Sequence, residues 1–158
     1  MVTETFRTLD EHLSRSECDS SDWADGLGST VARELLEKFE DEEWRRLADE
    51  WRNREVQWRA CLVGSLHPHY GETAQEMLIS ALEDSDPEVA FLALSGVAFH
   101  CGVSDCADGV FEDGDILHAR FRRRVSCTDG IREKIRFASE GCAPFLQPRF
   151  DLLLKLVS

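Results

Sequence analysis

The chain has 158 residues, 42% of them hydrophobic and including four Trp and nine Phe, a composition that excludes a disordered segment and suffices for one domain with a core. Its 18 basic and 31 acidic residues give a net charge of −13, which disfavours direct binding of nucleic acid through a basic surface. No apolar stretch approaches the roughly 20 residues of a membrane span, so no membrane partner is expected. The sequence also shows no secretory leader pattern, so a cytoplasmic location is expected.

The first third of the chain shows apolar residues at helical spacing. A short helix is predicted around Phe6, Leu9 and Leu13, and the polar link SRSECDSSD follows it. The next predicted helix, STVARELLEKF, starts at Ser29 or Thr30 as its cap. The helix DEEWRRLADEW then starts at a capping Asp41, with acidic residues in its first turn, where the helix dipole favours them.

Three further helices are predicted in the middle third. The stretches REVQWRACLVGSL and ETAQEMLISALED both place apolar side chains on one stripe. Asp86 is expected to cap the third helix, with Pro87 at its first position, where the missing N–H removes no helical hydrogen bond. Gly102 is the expected C-terminal stop.

Beyond residue 102 the pattern is less regular. Residues 103–115 are rich in glycine and acid and predict a loop, and residues 116–158 predict basic helices. Within them, ILHARFRRRV fits either a helix or an extended hairpin arm. Since no segment alternates strictly between apolar and polar residues, we predict one all-α domain over residues 1–158, with roughly six to eight short helices.

The segment from residue 73 to residue 102 resembles one unit of a HEAT repeat. An apolar helix ending in LISALED meets SDPEV, and a second apolar helix rich in small residues follows. The residues that carry the likeness are Asp86, Pro87, Val89, Ala93 and Leu94. The likeness covers about thirty residues of a usual repeat length of about 40–47. The stretch WRACLVGSL before it resembles the inner helix of a preceding unit, which extends the likeness over 55–102. It implies a small HEAT-like solenoid of antiparallel helix pairs, and a helical hairpin in an unrelated bundle is the alternative.

The sequence contains no motif that predicts a cofactor, a metal site or catalysis. The histidines of HPHYG and the pair His100–Cys101 lack the repeated short spacing of zinc ligands, and DCADGVFEDGD lacks the spacing of a calcium loop. Nucleophile-elbow, phosphate-loop and dinucleotide motifs do not occur. The six cysteines are expected to be free thiols: Cys18, Cys61, Cys101, Cys106, Cys127 and Cys142.

Acidic residues are concentrated in the middle of the chain. From Ala60 to Ala119 there are eleven acidic and no basic side chains, whereas residues 120–158 hold nine basic and four acidic ones. A solvated helix face is one explanation. The other explanation is that the acid steers a basic protein partner towards the chain. It is favoured because acidic residues without basic neighbours over several helices repel one another and lower stability.

In size, acidity and repeat-like centre the chain is similar to bacterial immunity proteins that neutralise toxins of contact-dependent growth inhibition. That resemblance implies a non-enzymatic protein whose partner is a basic toxin domain, such as a nuclease. A general HEAT-like scaffold, adaptor or regulatory subunit is the alternative, and a HEAT-like enzyme that handles a bilin or another small molecule is a third reading. HEAT-like DNA glycosylases need a basic concave face, which the acidic repeat region does not supply.

The predicted contact residues are acidic side chains of the middle segment together with aromatic anchors. The acidic ones are Glu72, Glu76, Asp84, Asp86, Glu88, Asp105, Asp108, Glu112, Asp113 and Asp115, and the aromatic ones are Trp44, Trp51, Trp58 and Tyr70. Charge reversal at Asp84, Asp86 and Glu88 is expected to slow association, most strongly at low salt.

Overall fold

A computed structural model describes residues 2–103 and 116–158, the side chains of 116 and 117 excepted. Most of the described residues are helical and none of them forms a strand, which confirms the all-α prediction. The helices are α1 (Glu4–Ser14), α2 (Ser21–Ala24), α3 (Gly28–Glu37), α4 (Asp41–Glu50), α5 (Val56–Ser65), α6 (Glu72–Ser80), α7 (Pro87–His100), α8 (Ile116–Ser126), α9 (Ile131–Ser139) and α10 (Gln147–Leu156). Short 3-10 turns at Trp51–Asn53, Pro68–Tyr70, Ala81–Glu83 and Pro144–Leu146 join or extend them. The stretch ILHARFRRRV is therefore helical.

Helix α7 is the centre of the core. It packs against α5, α6, α8, α9 and α10, and the residues on one half of it are buried: Val89, Ala90, Ala93, Leu94, Val97 and Ala98. The other half carries Phe91 and Leu92, which are partly buried, and Phe99, which is 38% exposed. A helix that is apolar on all sides is expected at the centre of a domain. At Gly96 an added Cβ would lie 3.3 Å from a methyl group of Leu78, so the absence of a side chain lets α6 approach closely.

The packing runs through the fold in chain order. Helix α1 packs on α3, α3 on α5, α5 on α7 and α7 on α9, while α4 packs on α6. Each helix of this series therefore contacts the helix two positions further along. Among the described residues, no helix is both long enough and apolar enough to cross a membrane.

The start and end of α7 follow the sequence prediction. The Asp86 carboxylate accepts hydrogen bonds from the backbone N–H groups of Glu88 and Val89, and Pro87 is the first helical residue. Gly102, directly after the C-cap, has φ of +96°, a conformation that a side chain would strain.

Two other predicted caps are wrong. Helix α3 starts at Gly28 after Leu27, before Ser29 and Thr30, and no side chain caps it. Helix α4 is capped by Glu40 in a capping box with Glu43, so Asp41 is its first helical residue. A glutamate cap is uncommon, and Glu43 completes it by accepting a hydrogen bond from the Glu40 N–H at 2.7 Å.

A nearly buried ion pair joins α5 to the turn before α7. The Arg59 guanidinium donates from Nε and Nη2 to the two carboxylate oxygens of Asp84, both at 3.1 Å. The two side chains are only 11% and 7% exposed. Asp84 also accepts a hydrogen bond from the backbone N–H of Asp86 at 2.9 Å. The same carboxylate therefore binds Arg59 of α5 and fixes the backbone of the turn that precedes α7.

We predict that Asp84→Ala lowers the free energy of unfolding by about 3 kcal/mol, because it leaves the Arg59 charge buried without its partner. The matched control is the adjacent Glu83→Ala, which removes an exposed ion pair with Lys134 and should cost less than about 1 kcal/mol. Urea unfolding followed by circular dichroism measures both. Equal losses for the two variants would contradict a structural role specific to Asp84.

Candidate functional site: an acidic groove between helices α4 and α6

A groove of about 510 Å³ lies between α4 and α6. We call it the acidic groove and define it by its lining residues: Asp41, Trp44, Arg45, Ala48, Asp49, Tyr70, Gly71, Glu72, Thr73 and Glu76. Four of them, Trp44, Tyr70, Glu72 and Glu76, are contact residues predicted from the sequence. The fold thus brings together side chains that lie up to 32 residues apart in the chain.

Two aromatic rings in contact lie at the groove. The ring centroids of Trp44 and Tyr70 are 5.7 Å apart, and Phe39 packs edge-on against Trp44 at 5.4 Å. Trp44 is 6% exposed and Tyr70 is half-buried. The Tyr70 hydroxyl donates to the backbone carbonyl of Arg33 at 3.4 Å, so α4, α3 and the turn Pro68–Tyr70 fix the position of this ring.

Carboxylates outnumber basic groups in the acidic groove. Asp41 and Asp49 come from α4, and Glu72 and Glu76 from α6, against a single guanidinium, that of Arg45. All four carboxylate residues are exposed. Like charges arranged around a concave surface raise the local concentration of counter-ions, so the groove attracts cationic groups.

The phenol of Tyr70 is neutral at physiological pH. Burial raises its pKa above the usual value, and the nearby Glu37 carboxylate raises it further, although Arg33 acts in the opposite direction. A neutral aromatic ring beside carboxylates is a suitable surface for a cationic side chain, because the face of the ring carries partial negative charge.

One carboxylate of the groove is shared with a basic helix. Arg124 of α8 donates from Nη2 to Glu76 Oε1 at 3.0 Å, and Lys134 of α9 similarly reaches Glu83 at 2.8 Å. Together with Arg59 and Asp84, three acids of the segment without basic residues are therefore paired with bases from outside it. Tertiary packing therefore relieves part of the acid that has no basic neighbour in the sequence.

The other predicted acidic residues lie elsewhere. Asp84 is in its ion pair with Arg59, and Asp86 caps α7. Charge reversal at these two positions therefore removes structural contacts and is not the test of partner binding that the sequence suggested. Glu88 is exposed at the start of α7. The remaining predicted contacts, Asp105, Asp108, Glu112, Asp113 and Asp115, lie outside the described residues.

Trp51 and Trp58 are core side chains, 2% and 4% exposed. The indole N–H of Trp58 donates to Asp10 Oδ1 at 3.0 Å, and the guanidinium of Arg54 lies 5.1 Å above the Trp58 ring. Trp58 thus ties α5 to α1, and because both rings are buried they present little surface to a partner. Trp44 alone of the three predicted tryptophans lines the groove.

Asp41, Arg45 and Asp49 belong to the groove, although sequence reasoning did not select them. The sequence predicts Asp41 as a helix cap and gives no role to Arg45 or Asp49. Their spacing of four residues along α4, visible in DEEWRRLAD, places them on one face. Only the packing of that face beside α6 turns it into one wall of the groove.

Four of the five histidines cluster beside the groove. The ring of His67 contacts those of His69 and His100, with centroids 4.2 and 4.3 Å apart, and Tyr70 contacts His69 at 4.4 Å. His118 of α8 acts electrostatically on His100. Within residues 2–103 and 116–158, no group of three His, Cys, Asp or Glu side chains is arranged to hold a metal ion.

Comparisons with protein-family models, with curated proteins and with solved structures gave no match.

The histidine cluster predicts acid sensitivity of the fold. Burial lowers the pKa of His100 to about 3, with contributions from His67, His118, His69 and Arg33, whereas an unfolded histidine titrates near 6.5. Since the unfolded chain binds this proton first, the free energy of unfolding falls as the pH drops from about 6.5 towards 3, by up to about 1.4 kcal/mol per pH unit. Urea unfolding at several pH values measures this slope.

The variant His100→Leu should show a shallower slope over the same pH range, because leucine binds no proton in either state. Parallel pH profiles for the wild type and His100→Leu would contradict the assignment of this slope to His100.

Proposed function

We propose that this chain is a non-enzymatic protein-binding module that holds a basic partner in the acidic groove. The proposal rests on the set of residues that line one groove. Four of them are contacts predicted from the sequence, and two more are carboxylates of α4: Trp44, Tyr70, Glu72 and Glu76, with Asp41 and Asp49. Exposed carboxylates beside a neutral aromatic ring are suited to an arginine or lysine side chain, which would stack on the ring and pair with the acids.

More specifically, we propose that the partner is a basic toxin domain and that the chain is its immunity protein. A nuclease needs a basic surface to displace the counter-ions of its nucleic acid. A protein that presents carboxylates in a groove competes for that surface, and complementary charge speeds its association. The resemblance of residues 55–102 to a HEAT repeat, and the series in which each helix packs on the helix two positions further along, support a HEAT-like solenoid as the scaffold.

Co-expression with the product of an adjacent, toxin-like upstream reading frame tests the proposal. The expected results are protection of the host cell and a complex that co-purifies. A toxin that kills the cell in the presence of this chain, together with the absence of a complex between the purified proteins, would refute the immunity role.

Neutralising one groove carboxylate should slow association with that partner. We predict that Glu72→Gln lowers the association rate by a factor of roughly two to five at low salt, with a smaller effect at high salt. Glu11→Gln is the matched control, since Glu11 is also exposed, lies on α1 outside the groove and changes the net charge equally. Stopped-flow measurements with both variants give the rates, and equal rates would remove Glu72 from the binding surface.

Removing the internal partner of Glu76 should have the opposite effect. Arg124→Ala frees the Glu76 carboxylate, so we predict faster association and tighter binding of the basic partner. The change in stability should be about 1 kcal/mol or less, because the Glu76 side chain is 72% exposed. Arg123→Ala, on the exposed face of the same helix, makes the net charge equally more negative. If both variants associate faster by the same factor, the change in net charge explains the effect and binding in the groove does not.

A further inference from the structure

The turn Pro68–Tyr70 supplies part of the wall of the acidic groove. Tyr70 and the following Gly71 line the groove, and the turn packs against α6 and α8. The Gln75 side chain of α6 donates from Nε2 to the Pro68 carbonyl at 2.9 Å. A change in the conformation of this turn therefore alters the groove itself.

His67 caps this turn with its side chain. Nδ1 of the His67 imidazole accepts a hydrogen bond from the backbone N–H of His69 at 3.1 Å. A backbone N–H is always a donor, so the ring nitrogen that faces it must carry a lone pair and no proton. The geometry of the cap therefore requires that the His67 ring is neutral.

The His67 ring lies in a cluster of titratable side chains. The His69 ring places its Nδ1 against His67 Nδ1, and the ring of His100 packs on that of His67 with centroids 4.3 Å apart. The other titratable and charged groups around this cluster come from the turn and from α3 and α8: Tyr70, Arg33, Glu37, His118 and Arg122. Of this set, Glu37 is the one acid, and it lies 3.9 Å from Nε2 of His69.

Protonation of His67 would remove the cap. The second ring proton of an imidazolium is carried by Nδ1, so this atom changes from an acceptor into a donor and faces the N–H of His69 with an N–H of its own. The same proton adds a positive charge beside the groove, which weakens the attraction of the groove for cationic groups. Both effects oppose the binding of a basic side chain.

We propose that His67 is a positioning residue that makes the acidic groove sensitive to pH: the groove binds cationic side chains while His67 is neutral and releases them when His67 is protonated. The inference rests on the proposed function, because it concerns the regulation of the same groove. Since protonation follows a fall in pH, binding should weaken as the pH falls.

The range from pH 7.5 to pH 5 separates His67 from other groups. Histidine is the side chain whose ordinary charge change falls within this range, whereas carboxyl groups in model peptides titrate near 4. His100 remains neutral in the folded protein over the same range, because burial lowers its pKa to about 3. A native-state change between pH 7.5 and pH 5 is therefore not due to His100.

The single tyrosine of the chain gives a direct measurement of the turn. The ring centroids of Tyr70 and Trp44 are 5.7 Å apart, so a nuclear Overhauser effect is expected between their ring protons at pH 7.5 in protein labelled at tyrosine and tryptophan. We expect this effect to be lost at pH 5, while circular dichroism at each pH confirms that the chain is folded. An effect of equal size at both pH values would overturn the proposal.

Three variants assign the change to His67. Asparagine keeps an oxygen acceptor suited to a cap and takes up no proton in this range, so His67→Asn should keep the Tyr70–Trp44 effect at pH 7.5 and at pH 5. His67→Ala has no acceptor and should lose the effect at both. His12→Gln is the matched control, since His12 lies on α1 and bonds to the Gly28 carbonyl, and it should behave as the wild type. Loss of the effect at pH 5 in folded His67→Asn would contradict the assignment.

Binding of a hexa-arginine peptide tests the consequence for the groove, because arginine keeps its charge at both pH values. Calorimetric titration should show binding to the wild type about fivefold weaker at pH 5 than at pH 7.5, and His67→Asn should lose most of this difference. An equal pH dependence in the two proteins would overturn the proposal. The failure of the proposed function looks different: affinity at pH 7.5 would then be the same for the wild type and Glu72→Gln.

Discussion

The structure depends on the burial of α7. This helix is surrounded by α5, α6, α8, α9 and α10, and it is lined by small side chains and one glycine that allow close approach. Burial of the apolar helix is the main source of stability in such a core. Burial also requires that the helix begins at one defined residue, because a shifted start would turn its buried half away from the core. The Asp86 cap, the Pro87 start and the Arg59–Asp84 ion pair together define this start.

The acidic residues that form one block in the sequence have two different roles in the folded chain. Part of the acid is structural, since it caps α7 or pairs with basic residues of α5, α8 and α9. The remainder includes the carboxylates along α4 and α6, which face each other across the groove. A local excess of acid therefore persists after these pairings, and it lies beside aromatic rings. This combination makes the groove more specific than the net charge alone suggests.

The sequence predicts what depends on near neighbours and misses what depends on packing. Helical periodicity locates nearly every helix, and the Asp86–Pro87 start is predicted because a cap acts within its own turn. The Glu40 cap of α4 escapes prediction because it needs Glu43 as a partner. Trp51 and Trp58 illustrate the second limit: composition indicates aromatic anchors, but only the fold shows that these two rings are in the core. Glu72 and Glu76 are predicted as contacts, whereas the opposite wall of the groove on α4 becomes visible only once the helices are packed.

Thr3 couples two helices that are far apart in the chain. Its hydroxyl accepts a hydrogen bond from the Phe6 N–H and so caps α1, and it also donates to the Glu43 carboxylate, which completes the cap of α4. Local opening of α1 would therefore remove a hydrogen-bond partner from the start of α4, and opening of α4 would do the same to α1. One wall of the acidic groove is in this way part of the same cooperative unit as the first helix, and hydrogen exchange in the two helices should follow a common opening event.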